Sequence, residues 1–490
     1  MRLQTEPERR KLPIPLALQN GFLSAASNLT SGLVGLLGSI IIVRSLDANQ
    51  YGHLSYLIWL SATLSALGLL AFPHALTKIS AELRGAGRVD DARRLEHWVF
   101  RWLLIINVAI GMGVVLFGIL SARNTTYLSM IGGVVVVHAV NRVLCSRYYA
   151  QQRYRRVTWS SMATSLAQVL LVILFAWVRP KIPEFFFALL APSLASTVIL
   201  AQGLRPWRTQ STQNPGRQVV SQYIRYLLPA SIVLVSEVIV WQRSGLFFLK
   251  QYSSDAQIGY FSLAYTFYSM VLSLGWALAN GFYPAVSNYF GAGRTSAIIR
   301  EVRRGLVILV LYSAPVMYGG LVGIGTALKL VYGLKMAPAI PVAEILLLGL
   351  VPGVASSIFA VTLNAGGEIW QNVKIGTIMA ILNLSLDLLV IPRYMAVGAA
   401  AASTATQIIS TLLLGWMVVH RHQVNLPYWT IARIGVAGFL TMYLIPRVTS
   451  ALLPANLASF ALSMVVGGLA YVLVVWKFRW FSSGLSLFEE

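Results

Sequence analysis

A chain of 490 residues with 57% hydrophobic and only 11% charged side chains, and a mean hydropathy of +0.69, is not a soluble domain. Soluble domains carry about 25% charge and break their apolar residues into stripes, whereas here continuous apolar runs of about 20 residues recur, the length that crosses a hydrocarbon core as a helix. Continuous rather than alternating runs exclude a β-barrel, and the net charge of +22 reads as loop charge that orients membrane helices, not as a nucleic-acid interface.

The chain opens with Arg9-Arg10-Lys11 ahead of an apolar run that reaches Val43. That run is too long for a cleaved signal core, and the basic triplet reads as a cytoplasmic flank of the first span. Fourteen spans are expected, at 16–43, 53–77, 98–120, 127–147, 158–178, 184–204, 226–250, 258–285, 305–328, 339–363, 373–391, 396–419, 429–446 and 456–476. With the N-terminus inside, 28 Lys and Arg fall in inside loops and nine outside, and Arg243 falls within a span. That bias predicts a multi-pass protein of the cytoplasmic (inner) membrane with both termini cytoplasmic. The basic loops could also gather anionic lipid headgroups. One cysteine, Cys145, makes a disulfide within the chain impossible.

A polar stretch at 205–225 divides the chain into two halves that repeat one another. RSLDANQYGHLSYLIWL after the first span is matched by KQYSSDAQIGYFSLAYTF after the seventh, with Asp47 answering Asp255 and Gly52 answering Gly259. Further on, Gly85-Ala-Gly-Arg88 is matched by Gly291-Ala-Gly-Arg294. The expected architecture is an all-α polytopic membrane protein. It has two pseudo-symmetric six-helix lobes, 1–204 and 226–419, joined by the linker 205–225. Two added helices and a tail occupy 420–490. Copies of six spans share orientation, which places a transporter's site at their interface near the midplane.

Charge inside a span is costly and marks candidate function, at about 2.5–3.5 kcal/mol per mid-membrane ion on insertion scales. The segment 226–250 holds both Glu237 and Arg243. Six residues apart, they stand about 240° round a helix and cannot pair along one face. Glu237 reads either as a protonated acid bonded to a neighbouring helix or as an ion-coupling site. Arg243 is a candidate for binding an anion, as are Arg142 (with His138 and Asn141 near it) and Lys78, which follows a kink expected at Pro73-His74. Each of these cations could instead snorkel toward an interface, as Lys250 at its span end could. Asp387 with Asn383 four residues before it shares a helix face and could hold a cation or a proton, or could simply be interfacial polarity, as Glu344 could. The aromatic run Tyr260 to Tyr268 reads as helix packing or as a sugar path. Metal-ligand spacing, a phosphate-binding loop and a nucleophile–base set are not evident, so no enzyme, metal site or bound cofactor is expected beyond Na+ or H+ coupling.

Two motifs carry a family resemblance. Arg44-Ser-Leu-Asp-Ala-Asn-Gln-Tyr51-Gly52 and Ile391-Pro-Arg-Tyr-Met-Ala-Val-Gly398-Ala-Ala resemble segments of the polysaccharide transporters, or oligosaccharide flippases, of the MOP (MATE-like) superfamily. The resemblance implies alternating access between two lobes and movement of a lipid-diphosphate-linked oligosaccharide across the membrane. It also implies working beside a polysaccharide polymerase or export complex. Arg243, Arg142 and Lys78 would then meet the diphosphate, and Glu237, Asp387 and Asn383 would couple ions. As the resemblance suggests, related lipid II flippases carry arginines within the first helix. This chain has none there before Arg44, which favours polysaccharide repeats over lipid II. A cation-coupled multidrug exporter of the same superfamily, and a non-transporting scaffold of an envelope assembly complex, are the competing readings.

Overall fold

The structure is a computed structural model that describes residues 30, 32, 34–121, 125–202, 214–241, 244–452 and 457–478, apart from the side chains at 233, 236–241, 451, 452 and 457. Among the described residues there are no strands. Eleven helical stretches are long and apolar enough to cross a membrane, and a shorter apolar helix, α1, covers Val34–Ser45. Helices dominate because lipid offers no partner for a backbone N–H or C=O. In chain order α6 is Tyr154–Val178, α7 Ile182–Gln202, α10 Asp255–Gly291, α11 Thr295–Tyr332, α12 Ile340–Leu348 and α13 Leu350–Ala365; one stretch, Ile369–His422, is two helices, α14 (369–394) and α15 (396–422), that meet at Met395 (φ 51, ψ −127). With that division, and with α1 and the helix Arg217–Trp241 added, the chain order gives the fourteen-span layout expected from sequence.

Three boundaries differ from the sequence reading. The second crossing is broken: α2 (Ala48–Leu69) stops at Leu70, which has a φ of 43, and α3 (Phe72–Gly85) restarts with Pro73 in its first turn. Proline is tolerated there because that N–H has no intrahelical acceptor. At the second boundary, α8 begins at Arg217, so Arg217 and Arg225 are helical and not linker. Its first turns are amphipathic: Val219, Tyr223 and Leu227 are buried against α3 and α4 (Val89–Leu120), and the Tyr223 hydroxyl donates to the Phe72 carbonyl at 3.0 Å. Thirdly, 226–250 is not one helix. α8 is described as far as Trp241, Ser244 forms a turn, and α9 occupies Gly245–Tyr252.

The chain forms two compact units, one of Met1–Ser45 and Leu60–Leu234, the other of Leu46–Trp59 and Val235–Glu490. In the first, α3, α4 and α5 (Thr125–Ala150) enclose Leu76, Ile79, Leu95, Val99, Leu103 and Val143. Gly111 and Gly132 let α4 and α5 touch backbone to backbone: a Cβ on Gly111 would stand 2.8 Å from the Gly132 carbonyl oxygen. Small residues at such crossings are how membrane helices approach closely. Beneath them Glu96, 1% exposed, pairs with Arg84 at 2.7 Å and Arg147 at 3.0 Å.

In the second unit, the repeat-related segments pack together. A Cβ on Gly52 would lie 1.6 Å from the Asp255 carbonyl oxygen, and one on Gly259 would lie 2.8 Å from that of Ala48. Lys250 bonds Asp255 at 2.6 Å, and His53 stands 3.4 Å from the same carboxylate. Lys250 is therefore tied into an ion pair at a helix end.

The repeat is finer than two halves. Four helix–helix turns close the same way, two in each unit. The amides of Arg88, Arg153, Arg294 and Glu368 reach back to the carbonyls of Leu83, Tyr148, Tyr289 and Leu363 at 2.8–3.0 Å. The preceding residue is left-handed in each: Gly87 (φ 77), Gln152 (φ 58), Gly293 (φ 66) and Gly367 (φ 76). These are Schellman turns, which satisfy the last helical carbonyls and favour glycine at that position. Gln152 alone carries a Cβ there. Gln152→Gly should therefore raise stability by about 0.5–1 kcal/mol, since a non-glycine left-handed residue costs about 1–2 kcal/mol. An unchanged or lower thermal midpoint in detergent would contradict that.

Candidate functional site

Two polar clusters lie within the spans, one in each unit. In the second unit, α14 brings Asn383 and Asp387 to one face, as their spacing predicts. Both are buried, at 2% and 1% exposure. The break before α9 delivers Ser244, whose hydroxyl donates to Asp387 Oδ2 at 2.8 Å. Asn383 Nδ2 donates to Ser244 Oγ at 2.9 Å and to Asp387 Oδ2 at 3.1 Å. Beyond the Met395 turn, α15 supplies Thr406, which donates to Asn383 Oδ1 at 3.1 Å. Asp387 Oδ2 is thus saturated, while Oδ1 is buried with no partner among the described residues. The Gly245 backbone stands beside it: a Cβ there would lie 3.6 Å from Oδ1. A buried carboxylate with one idle oxygen and only oxygen and amide neighbours suits a proton or a hard cation. Sequence reading named Asn383 and Asp387. Ser244 and Thr406 were missed, because only the turn at Ser244 and the Met395 turn bring them in.

In the first unit, α3 and α5 are the second and fourth crossings and run the same way. Thr77 Oγ1 reaches the Ser146 carbonyl at 3.5 Å, which fixes their register. One turn deeper from that contact, His74 on α3 comes beside Arg142 on α5, and Arg142 is within electrostatic reach of both His74 and His138. Each pair, His74 with Lys78 and His138 with Arg142, is four residues apart and shares a helix face. His74, Lys78 and Arg142 are exposed, and His138 is half-buried. Lys78 rests over the Tyr226 ring at 4.2 Å and stands 4.0 Å from Glu82. Arg142 has no ion-pair partner among the described residues. It lies eight residues inside the end of α5, about 12 Å along the axis.

The repeat provides an internal control. Counted from the left-handed residue of each turn, His74 and Lys78 correspond to Asn280 and Pro284, and His138 and Arg142 to Gly353 and Ser357. Conversely, Asn383 and Asp387 correspond to Gln168 and the buried Val172. The cationic face belongs to the first copy alone, and the buried acid to the second.

Arg243 lies outside the described residues, and so does the side chain of Glu237, although its backbone is part of α8. Groups of three or more His, Cys, Asp or Glu that could hold a metal ion do not occur among the described residues.

Comparison with known proteins places the chain in a family. No curated protein sequence matches the chain. The family described as "Polysaccharide biosynthesis protein" matches residues 17–290, and the MatE family matches residues 229–392. Among solved structures, the chain resembles a lipid II flippase, MurJ, in an inward closed conformation, with a TM-score of 0.74 at 14% identity, covering 94% of this chain and 99% of that one. It resembles an inward-facing multidrug resistance MATE family transporter of the MOP superfamily, with a TM-score of 0.67 at 12% identity, over 80% of this chain and 94% of that one. A Vibrio cholerae MATE transporter, VcmN, matches at a TM-score of 0.57 and 16% identity, over 83% and 97%. At such identities the likeness is one of fold, and the family match spans more than half the chain. The chain is a multi-pass membrane protein with the fold of the MOP transporters, and it belongs to the polysaccharide biosynthesis protein family.

Proposed function

We propose that the protein is a flippase that carries a lipid-diphosphate-linked oligosaccharide across the cytoplasmic membrane by alternating access, coupled to an ion gradient. The observation that carries this reading is the exposed cationic face of α3 and α5, with Arg142 two turns inside a spanning helix and with no acid paired to it among the described residues. A charged face on a span almost always looks into the bundle interior or a water-filled cavity. A guanidinium there offers the fork that suits phosphate oxygens, and Lys78 adds a point charge. A multidrug exporter that handles cations would be repelled by the same face. Arg243 and Glu237 remain further candidates, for the diphosphate and the ion.

The ion would be a proton or Na+ on Asp387 Oδ1, held in place by Asn383 and Ser244. Asp387→Asn keeps the shape and removes the charge. Transport should then lose its dependence on the ion gradient, with a drop of at least tenfold under a gradient. Gradient-driven transport at the wild-type rate would remove Asp387 from the coupling site.

In cells, deleting the protein should make lipid-linked repeat units accumulate and surface polysaccharide fall. Unchanged intermediates with unchanged export would overturn the flippase reading.

A further inference from the structure

The two histidines near Arg142 are not explained by hydrogen bonding. Neither His74 nor His138 has a hydrogen-bond partner among the described residues, and the register set by Thr77 against Ser146 brings both within electrostatic reach of the Arg142 guanidinium. Two imidazoles within reach of a cation gain nothing from protonation while no anion is there. An anion changes that balance. A diphosphate diester brings two negative charges that do not titrate between pH 6 and 8, and each imidazolium becomes a charge-assisted donor to it. The spacing also fits. Lys78, then His74 with Arg142, then His138 descend the two helices in steps of one turn, about 6 Å each. The second copy has Asn280, Pro284, Gly353 and Ser357 at these places, so the fold itself does not require the histidines.

We propose that His74 and His138 complete the headgroup site of the first unit and take up protons from solvent as the diphosphate binds. Anion recognition in this unit is then proton-linked independently of the buried acid in the other. This rests on the flippase reading above. The charged and titratable groups around the pair, among the described residues, are Arg142, Lys78, Glu82, Cys145, Tyr149 and Tyr226. Of these types only the histidines change charge near pH 6.5 in the ordinary case, so a pH dependence across pH 6–7.5 reports on them.

The test uses the full chain in detergent at fixed Na+, with farnesyl-diphospho-N-acetylglucosamine as the probe. The wild type should bind about tenfold more tightly at pH 6.0 than at pH 7.5, since each proton taken up gives at most a tenfold gain per pH unit. In weakly buffered solution, adding the probe should draw about one proton per ligand from solvent. H74N/H138N should bind with a pH response under twofold and no proton uptake, and R142Q should bind weakly at every pH. Binding that needs Arg142 but shows no pH response and no proton uptake in the wild type overturns the histidine proposal and leaves the flippase reading standing. A pH response that survives in H74N/H138N does the same. Absence of probe binding to the wild type at any pH overturns both.

Discussion

Arg142→Gln is expected to abolish transport while the protein accumulates in the membrane at its normal level. The guanidinium is exposed and makes no ion pair among the described residues, so its loss should leave the fold intact. What is lost is a charge-assisted contact to phosphate. Hydrogen bonds to charged groups are worth about 1.5–3 kcal/mol each, so a bidentate contact corresponds to at least a 10–100-fold loss of affinity. Arg142→Lys should recover part of it, because an ammonium supplies the charge without the fork. The check is transport in vesicles beside a measurement of membrane level and thermal midpoint. Wild-type transport by Arg142→Gln would show that the cationic face of α3 and α5 does not meet the substrate.

Glu96→Ala should have the largest effect on stability. Glu96 is 1% exposed and lies between Arg84 at 2.7 Å and Arg147 at 3.0 Å, with the Ser80 hydroxyl donating to it at 2.6 Å. Those arginines come from α3 and α5, while Glu96 comes from α4, so the cluster ties three helices of the first unit. Removing the acid leaves two largely buried guanidinium groups facing each other. Breaking a buried pair by deleting one partner costs about 3–5 kcal/mol. The expected readout is a sharply lower yield and thermal midpoint. Glu96→Gln should do less damage, since the amide oxygen still accepts from Arg84 and Ser80. Removing Glu96 and Arg147 together should cost less than the sum of the single changes, as coupled partners do. Wild-type stability for Glu96→Ala would mean that the cluster is solvated and structurally idle.

Much of the fold could be read from the sequence because its cause is local. A run of about 20 apolar residues must be a helix in lipid, whatever surrounds it. The repeated Gly-Ala-Gly-Arg could be read for the same reason: Gly87 and Gly293 occupy a left-handed position that the turn chemistry demands. The matching turn at Gln152 was hidden, since glutamine gives no such signal. Asn383 and Asp387 could be paired because four residues make one helical face. Ser244 and Thr406 could not, because they reach Asn383 only through a turn at Ser244 and a reversal at Met395. Arg142 was visible as a charge in the inner half of a span, and Lys78 as one at a span's inner end. That they share a face with His74 and His138 depends on the parallel register of α3 and α5, set by Thr77 against Ser146. Glu96 gives no signal in the sequence, because it lies just ahead of the span expected at 98–120 and its burial arises only when three helices converge.

The most direct test of the flippase account is translocation in vesicles that contain only the purified protein. A fluorescent short-chain prenyl-diphosphoryl oligosaccharide is placed in both leaflets, an impermeant reductant quenches the outer pool, and the inner pool is followed as it emerges. The account predicts emergence at least tenfold faster than in protein-free vesicles, accelerated by an imposed Na+ or proton gradient and lost in Arg142→Gln. Emergence at the protein-free rate, from vesicles shown to contain folded protein, would contradict it.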